Sequence, residues 1–326
     1  MIPLSLAYDM RAPDFGTPAP RLYAAMLDQC AWAEANGFHR ISFMEHHAST
    51  DGYLPSPIVA AAAAAGRTRT VQIGISLMLL PLYDPIRAAE DLAVLDLVCE
   101  GRLVLAVGGG YRAEEYAQFG LDIKSRPSRM EAAILTLKKA WTGEPFEYQG
   151  RTVRILPKPF QPGGPPIIMG GTSEAAARRA ARIADGFQPF VPRYFDVYRE
   201  ELIRLGKTAP PPMQQREGAM FLHVSRNPDR DWEKIAPHAL HEANDYGAWA
   251  GGDPQYPYQP TSDANALRAS GMYRVLTPEE AVGFAIRAGG LSLKPTMGGM
   301  DPGLAQESLD LVAAEVLPAL RHAMPA

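Results

Sequence analysis

The sequence predicts an α/β fold, a (β/α)8 TIM barrel with insertions, and three observations carry that reading. Short apolar β-like runs alternate with helical patterns about eight times. No linker-like stretch separates one half of the chain from the other. The 326 residues suffice for either two domains or one large barrel. Such alternation implies parallel strands joined by right-handed crossovers. Eight units in one uninterrupted domain, residues 1–326, favour a closed ring over an open doubly wound sheet.

The elements follow in order. IPLSLAY (2–8) reads as a strand, and the helix from Pro20 to Asn36 ends at Gly37, a residue that tolerates the left-handed turn after a helix. HRISFME (39–45) is a strand, Pro57 to Gly66 an Ala-rich helix, and VQIGISLMLL (71–80) a strand. Pro85 opens a helix to about Cys99, because the first helical position needs no backbone N–H. RLVLAVG (102–108) is a strand, with helical segments at 112–118 and 127–141. The Gly/Pro-rich stretch 143–165 is an insertion with a β-excursion at FEYQGRTVRI. Strand PIIMGG (166–171), helix 174–184, strand GFQPFV and helix 194–205 come next. Strand MFLHVS (220–225) and helix 229–242 lead into a second insertion, 245–275, whose first part (245–262) is rich in Gly, Pro and Tyr. Helix 278–288, strand LSLKPTM and helix 303–321 finish the chain. Barrel chemistry gathers at the C-terminal ends of the strands, so candidate residues are sought there.

Composition narrows the function classes. A net charge of -4 gives no basic patch for nucleic acid or for an anionic membrane. The longest apolar run, Val59 to Ala65, is far too short to span a bilayer. The stretch MIPLSLAYDMRAPD lacks the basic and long apolar regions of a signal peptide. Two cysteines, Cys30 and Cys99, lie in apolar helical patterns, which reads as core filler in a reduced, cytoplasmic protein.

FMEHHASTDGYLP (43–55) places Glu45, His46 and His47 at the end of the second strand. Alternation puts Ile41, Phe43 and Glu45 on one face, and Ser42, Met44 and His46 on the other. His46 then points to the barrel mouth and His47 away from it. Neighbouring histidines chelate one metal poorly, and neither HExxH nor HxxEH occurs: His238 and His241 stand in HxxHE. No metal is expected. A structural histidine pair and a cofactor-facing His46 both remain open.

VLAVGGGYRAEEY (104–116) joins a strand to a helix through Gly108, Gly109 and Gly110. Gly108, Gly110 and Ala113 fit G-x-G-x-x-A, but this is the fourth strand and no acidic residue ends a strand about twenty residues on. A dinucleotide turn, a crowded glycine turn and close approach of a cofactor to backbone without Cβ are the three readings. IIMGGTSEAAARRAARIADG (167–186) ends a strand in Gly170 and Gly171, and Thr172 or Ser173 caps the next helix. That terminus is either an ordinary cap or a phosphate site built from free N–H groups and the helix dipole. Gly74 and Ser76 leave room on one face of the third strand. Tyr246, Trp249, Tyr256 and Tyr258 lie in the second insertion, lining a pocket or pinning a loop.

EHH (45–47), IGISLMLLPLYDPIRAAEDLAVLDLVCEGRLVLAVGGGYRAEEYAQFG (73–120), WTGEPFEYQGR (141–151), PPIIMGGTSEAAARRAARIADG (165–186), TPEEAVGFAI (277–286) and AAEVLPALR (313–321) together resemble the bacterial-luciferase-like flavin-dependent monooxygenases. The resemblance covers nearly the whole chain and is densest over residues 37–186. It implies a luciferase-like (β/α)8 barrel that binds FMN, or in some branches F420, at the strand ends. By position, His46 matches the catalytic histidine, and Ser76 and Leu77 match a non-proline cis peptide behind the flavin ring. Gly108, Gly109, Gly110, Tyr111 and Arg112, with Gly170, Gly171, Thr172 and Ser173, match the cofactor-binding turns. A reactive cysteine and a phosphate-binding arginine of luciferase are here Gly108 and Gly109, and Arg112 is the expected substitute. The resemblance further implies a two-component monooxygenase: reduced FMN from a separate flavin reductase, O₂, a small organic substrate and a homodimer. An F420-dependent hydride-transfer enzyme and a non-catalytic flavin-binding protein are the alternatives.

Overall fold

The structure, a computed structural model, describes residues 2–214, 216–251 and 258–323. In chain order the elements are β1 (Leu4–Tyr8), α1 (Ala19–Ala35), β2 (Arg40–Phe43), α2 (Pro57–Arg67), β3 (Gln72–Met78), α3 (Pro85–Val98), β4 (Leu103–Val107), α4 (Ala113–Gln118) and α5 (Arg126–Ala140). The hairpin β5 (Phe146–Tyr148) and β6 (Arg151–Val153) follows, then β7 (Ile167–Gly171), α6 (Glu174–Ile183), β8 (Gly186–Pro189), α7 (Arg193–Arg204) and β9 (Phe221–Val224). The last part holds α8 (Pro228–Trp249), α9 (Ala264–Ala269), β10 (Tyr273–Leu276), α10 (Pro278–Ala288), β11 (Leu291–Leu293), α11 (Pro302–Leu311) and α12 (Leu317–Ala323).

The chain divides into two compact units, one of Met1–Ser42, His47–Pro55 and Arg216–Ala326, the other of Phe43–His46 and Ser56–Gln215. In the second unit β3, β4, β7 and β8 are neighbours in that order and pair in parallel, with Ile73 opposite Leu103, Leu105 opposite Ile167 and Met169 opposite Phe187. Ile73, Ile75, Leu105, Val107, Ile167 and Met169 are buried. Apolar runs covered on both faces are what parallel strands under helices require. Trp141, just past α5, is buried and donates its indole N–H to Ala89 O of α3 at 3.1 Å. Gly164 crosses the same ring with φ +96; a Cβ there would lie 2.0 Å from Trp141 Cε3, so the insertion packs onto α5 only through a glycine.

In the first unit β11, β1 and β2 are neighbours, and β1 pairs with β11 in parallel from Leu4–Leu291 to Leu6–Leu293. β9 and β10 form a parallel pair, Phe221 opposite Tyr273. Thr277 begins α10 with a capping box: its hydroxyl accepts from Glu280 N while the Glu280 carboxylate accepts from Thr277 N.

Three expectations are corrected. β2 stops at Phe43, so strand alternation does not reach His46 and His47, and both are buried, as is Glu45. α8 runs on to Trp249, because Ala239, Ala243, Tyr246 and Gly247 are buried at helical spacing; Tyr246 and Trp249 therefore stand on a helix and not in an irregular loop. α9 and β10 fall in and just after the second insertion, where the sequence pattern shows no element: Tyr273 and Val275 alternate inward, but a four-residue strand gives too short a pattern to read. Tyr256 lies outside the described residues.

Candidate active site

The second unit brings the ends of β3, β4 and β7 together around one side chain, Leu77. The Ser76–Leu77 peptide is cis. A Cβ placed on Gly108, just past β4, would sit 2.9 Å from Leu77 Cδ1, and one on Gly170, in β7, 2.8 Å from the same atom. Both glycines are thus needed for close approach to Leu77. The Gly108 amide donates to Met78 O at 2.8 Å, which ties the β4 turn to β3.

Beyond Gly108 the turn is held from outside. Tyr116 donates its hydroxyl to Gly109 O at 2.5 Å, and Arg126 donates Nη1 to Gly110 O at 3.0 Å. The Arg126 Cδ lies 3.7 Å from where a Gly109 Cβ would stand, so this helix residue covers the place of a side chain at 109. Arg112 is buried instead, with Nη1 3.7 Å from Glu115 Oε1.

His46 Nδ1 is 2.7 Å from Glu115 Oε1; the histidine is 7 % exposed and the glutamate fully buried. The Tyr111 ring meets the imidazole edge-on, centroids 5.6 Å apart. With Nδ1 bonded to a carboxylate, the orientation of the ring is fixed. Glu45 acts differently. Its carboxylate accepts from Leu79 N (2.7 Å) and from the Tyr83 hydroxyl (2.8 Å). Burial, with the Glu45 charge beside it, pushes the Tyr83 phenol well above its ordinary range.

Ser173 caps α6, its hydroxyl accepting from Ala176 N at 3.2 Å; Thr172 does not take that role. A cavity of about 390 Å³ opens beside it, lined by Ser173, Glu174, Arg193, Tyr194 and Val197. The structure thus gathers His46 with Tyr111 and Arg112, and Leu77 with Gly108 and Gly170. Ser173 stands at a cavity whose other lining residues come from α6 and α7. Glu115, Arg126 and Arg193 escaped the sequence reading. Of these, only Glu115 left a trace, as one of two acids in the first turn of α4. In the first unit, Asp51, His241 and Asp245 stand close enough to share a metal ion, but Arg11 Nη1 lies 2.5 Å from Asp51 Oδ2 and 2.7 Å from Asp245 Oδ2. The guanidinium is the cation of that cluster.

The family model described as luciferase-like monooxygenase matches residues 10–283. The chain belongs to the luciferase-like monooxygenase family. Its relatives include the oxygenase component of the flavin-dependent trigonelline monooxygenase of Acinetobacter baylyi, 30% identical over 45% of this chain and 42% of that protein. Another is the F420-dependent glucose-6-phosphate dehydrogenase of Microbacterium testaceum, 27% identical over 98% of each chain. The oxygenating constituent of 3,6-diketocamphane monooxygenase from Pseudomonas putida, solved in complex with FMN, shares the fold at a TM-score of 0.73 and 19% identity, over 97% of this chain and 98% of that one. Among the first curated relatives the chain spans about half the length, 49%, 42% and 62% of three of them. The fold is therefore the luciferase-like barrel, and the relatives are monooxygenases and other oxidoreductases. Among the described residues no helix is long and apolar enough to cross a membrane.

Proposed function

We propose that this luciferase-like protein is the oxygenase component of a two-component, cytoplasmic flavin monooxygenase, taking reduced FMN from a separate reductase and oxygenating a small organic substrate with O₂. The observation that supports this best is the close packing at Leu77. Two glycines from two strands abut it, and a Cβ on either would collide with it. Glycine at both places leaves no Cβ between the backbone and a flat ring. The residues at its edges fit a phosphorylated cofactor: the free N–H groups at the start of the ten-residue α6 suit an anion, and Arg126 at the Gly109–Gly110 turn supplies positive charge. Arg126 joins Arg112 as a candidate for the part of the missing arginine.

Reduced FMN, when bound, supplies the electrons for O₂ activation. The chain's own contribution is positional. Leu77, Gly108 and Gly170 seat the ring, Ser173 and Arg126 hold the phosphate, and Glu115 orients His46 so that Nε2 holds or gives a proton. Replacing His46 with Ala is expected to spare folding and flavin binding while lowering product formed per flavin oxidised. Unchanged product yield refutes the role.

A second reading has a specific observation behind it: the F420-dependent relative matches across 98% of both chains. On that reading the same residues hold a deazaflavin for hydride transfer. Anaerobic titration with reduced FMN and with F420 separates the two, since each has its own absorbance. Val59 of α2 and Val94, Leu97 and Val98 of α3 are exposed apolar residues on two packed helices, and we assign that face to a homodimer. A monomer by sedimentation at micromolar concentration contradicts the assignment.

A further inference from the structure

β2 ends at Phe43, and residues 44–46 belong to no regular element. Two side chains anchor this stretch. Glu45 and His46 are consecutive, both are buried, and they reach different parts of the second unit. Glu45 reaches the chain that leaves β3: one carboxylate oxygen accepts from Leu79 N at 2.7 Å, the other from the Tyr83 hydroxyl at 2.8 Å. His46 reaches α4, where its Nδ1 meets Glu115 Oε1 at 2.7 Å.

The two anchors converge on one glycine. Leu79 Cδ2, Glu115 Oε2 and Tyr116 Cε2 lie 3.6, 3.7 and 3.7 Å from where a Gly110 Cβ would stand. Leu79 also packs with Leu82 and Tyr116 in a small apolar cluster, against which Tyr83, Leu121 and Ile123 rest. One residue before Leu79, Met78 O accepts from Gly108 N, so the end of β3 is tied to β2 on one side and to the β4 turn on the other. Consecutive Cα atoms are about 3.8 Å apart, so a shift at Glu45 is felt at His46. Stability alone does not ask for this arrangement. A buried carboxylate is costly to desolvate, and a neutral acceptor would meet Leu79 N at less cost. The carboxylate instead serves two donors at once, one on each oxygen. Burial, with the Glu45 charge beside it, keeps the Tyr83 phenol protonated and donating.

We propose that Glu45 is a positioning residue: it fixes the end of β3 that carries Leu77 and, with it, the place of His46. A displacement of about 1 Å in such a constellation can cost on the order of a hundredfold in rate. That Leu77 faces a cofactor rests on the function proposed above; the coupling of Glu45 to His46 does not.

The test uses the full chain and begins without cofactor. Imidazole N–H protons are followed by NMR on protein carrying isotope-labelled histidine, and His46 is assigned among the seven histidines by a His46→Gln variant. Its Nδ1–H, bonded to a carboxylate, is expected downfield and protected from exchange. Glu45→Ala is expected to lose that signal. Glu45→Gln is expected to keep it, because an amide accepts from Leu79 N and donates to the Tyr83 oxygen. Reduced FMN, titrated anaerobically, is expected to bind about tenfold weaker to Glu45→Ala and as before to Glu45→Gln. Either readout left unchanged in folded Glu45→Ala overturns the proposal and leaves Glu45 a structural residue that only lowers the melting temperature when lost. A Glu45→Gln protein as impaired as Glu45→Ala overturns it too, as does the absence of the His46 signal from the unaltered protein. Should Glu45→Ala not fold, Tyr83→Phe removes one of the two bonds: a weakened signal and a weakened affinity are expected, and unchanged ones overturn the proposal. Should the unaltered protein bind neither reduced FMN nor F420, the function proposed above falls, and the His46 signal alone decides this inference.

Discussion

Gly170→Ala is the sharpest probe of the Leu77 surface. The added Cβ would stand 2.8 Å from Leu77 Cδ1 and 3.1 Å from Cδ2, with Val107 O at 3.5 Å. Carbon atoms rest at about 3.5–4.0 Å, so Leu77 must retreat by close to 1 Å. Retreat is blocked on the β4 side, where Leu77 Cδ1 already abuts the Gly108 backbone closely enough that a Cβ there would lie at 2.9 Å. Overpacking of this kind costs about 1–3 kcal/mol. The strain either lowers the melting temperature by a few degrees or is relieved by Leu77 swinging onto the open side, where it weakens FMN binding. Thermal melting and anaerobic FMN titration are therefore measured together, on Gly170→Ala alone and on Gly170→Ala with Leu77→Ala. The double variant is expected to recover what the single one loses, since the two sites are coupled by contact. A Gly170→Ala protein that melts and binds as the unaltered one does, or a loss that persists without Leu77, refutes the reasoning.

Other outcomes follow from the same geometry. Glu45→Ala strands the buried Leu79 amide and the Tyr83 hydroxyl, and should destabilise the fold by about 1–3 kcal/mol per lost partner in urea titration. Burial drives His223 down to about 4, against a weaker upward pull from Asp231 at 3.9 Å. The folded state then binds fewer protons than the unfolded chain, so this stability is complete above pH ~6.5 and lost as pH falls toward 4. It amounts to about 3 kcal/mol, and a His223→Leu variant should show an acid limb flattened by that much. Burial also pushes Cys99 up to about 12, and Cys30 is buried, so neither thiol should react with a disulfide reagent at pH 8 before unfolding. Arg126→Ala should weaken FMN about tenfold and leave riboflavin, which lacks the phosphate, unchanged.

The sequence shows the strands of the second unit plainly because they are apolar on both faces; β3, β4 and β7 end within two residues of their expected limits. The α6 terminus is equally legible, since a Ser before an acidic first turn is a local signal. Glu115 is not: at the start of a helix it looks like a dipole-complementing acid, and only the fold shows it buried against His46. Arg126 is sixteen residues from the carbonyl it bonds, and the Arg11 cluster draws on segments more than two hundred residues apart. Such long-range pairings leave no periodic trace. The alternation that separates His46 from His47 has a simpler limit: it extends a period of two past the last strand residue, Phe43.

One flat cofactor at the ends of β3, β4 and β7 is the central claim, and a crystal structure of the protein soaked with FMN under reducing conditions tests it most directly. The expected density has the ring against Leu77, Gly108 and Gly170, His46 at its edge and the phosphate at the amide end of α6 beside Ser173. A well-ordered flavin bound elsewhere, or none at saturating FMN, contradicts it.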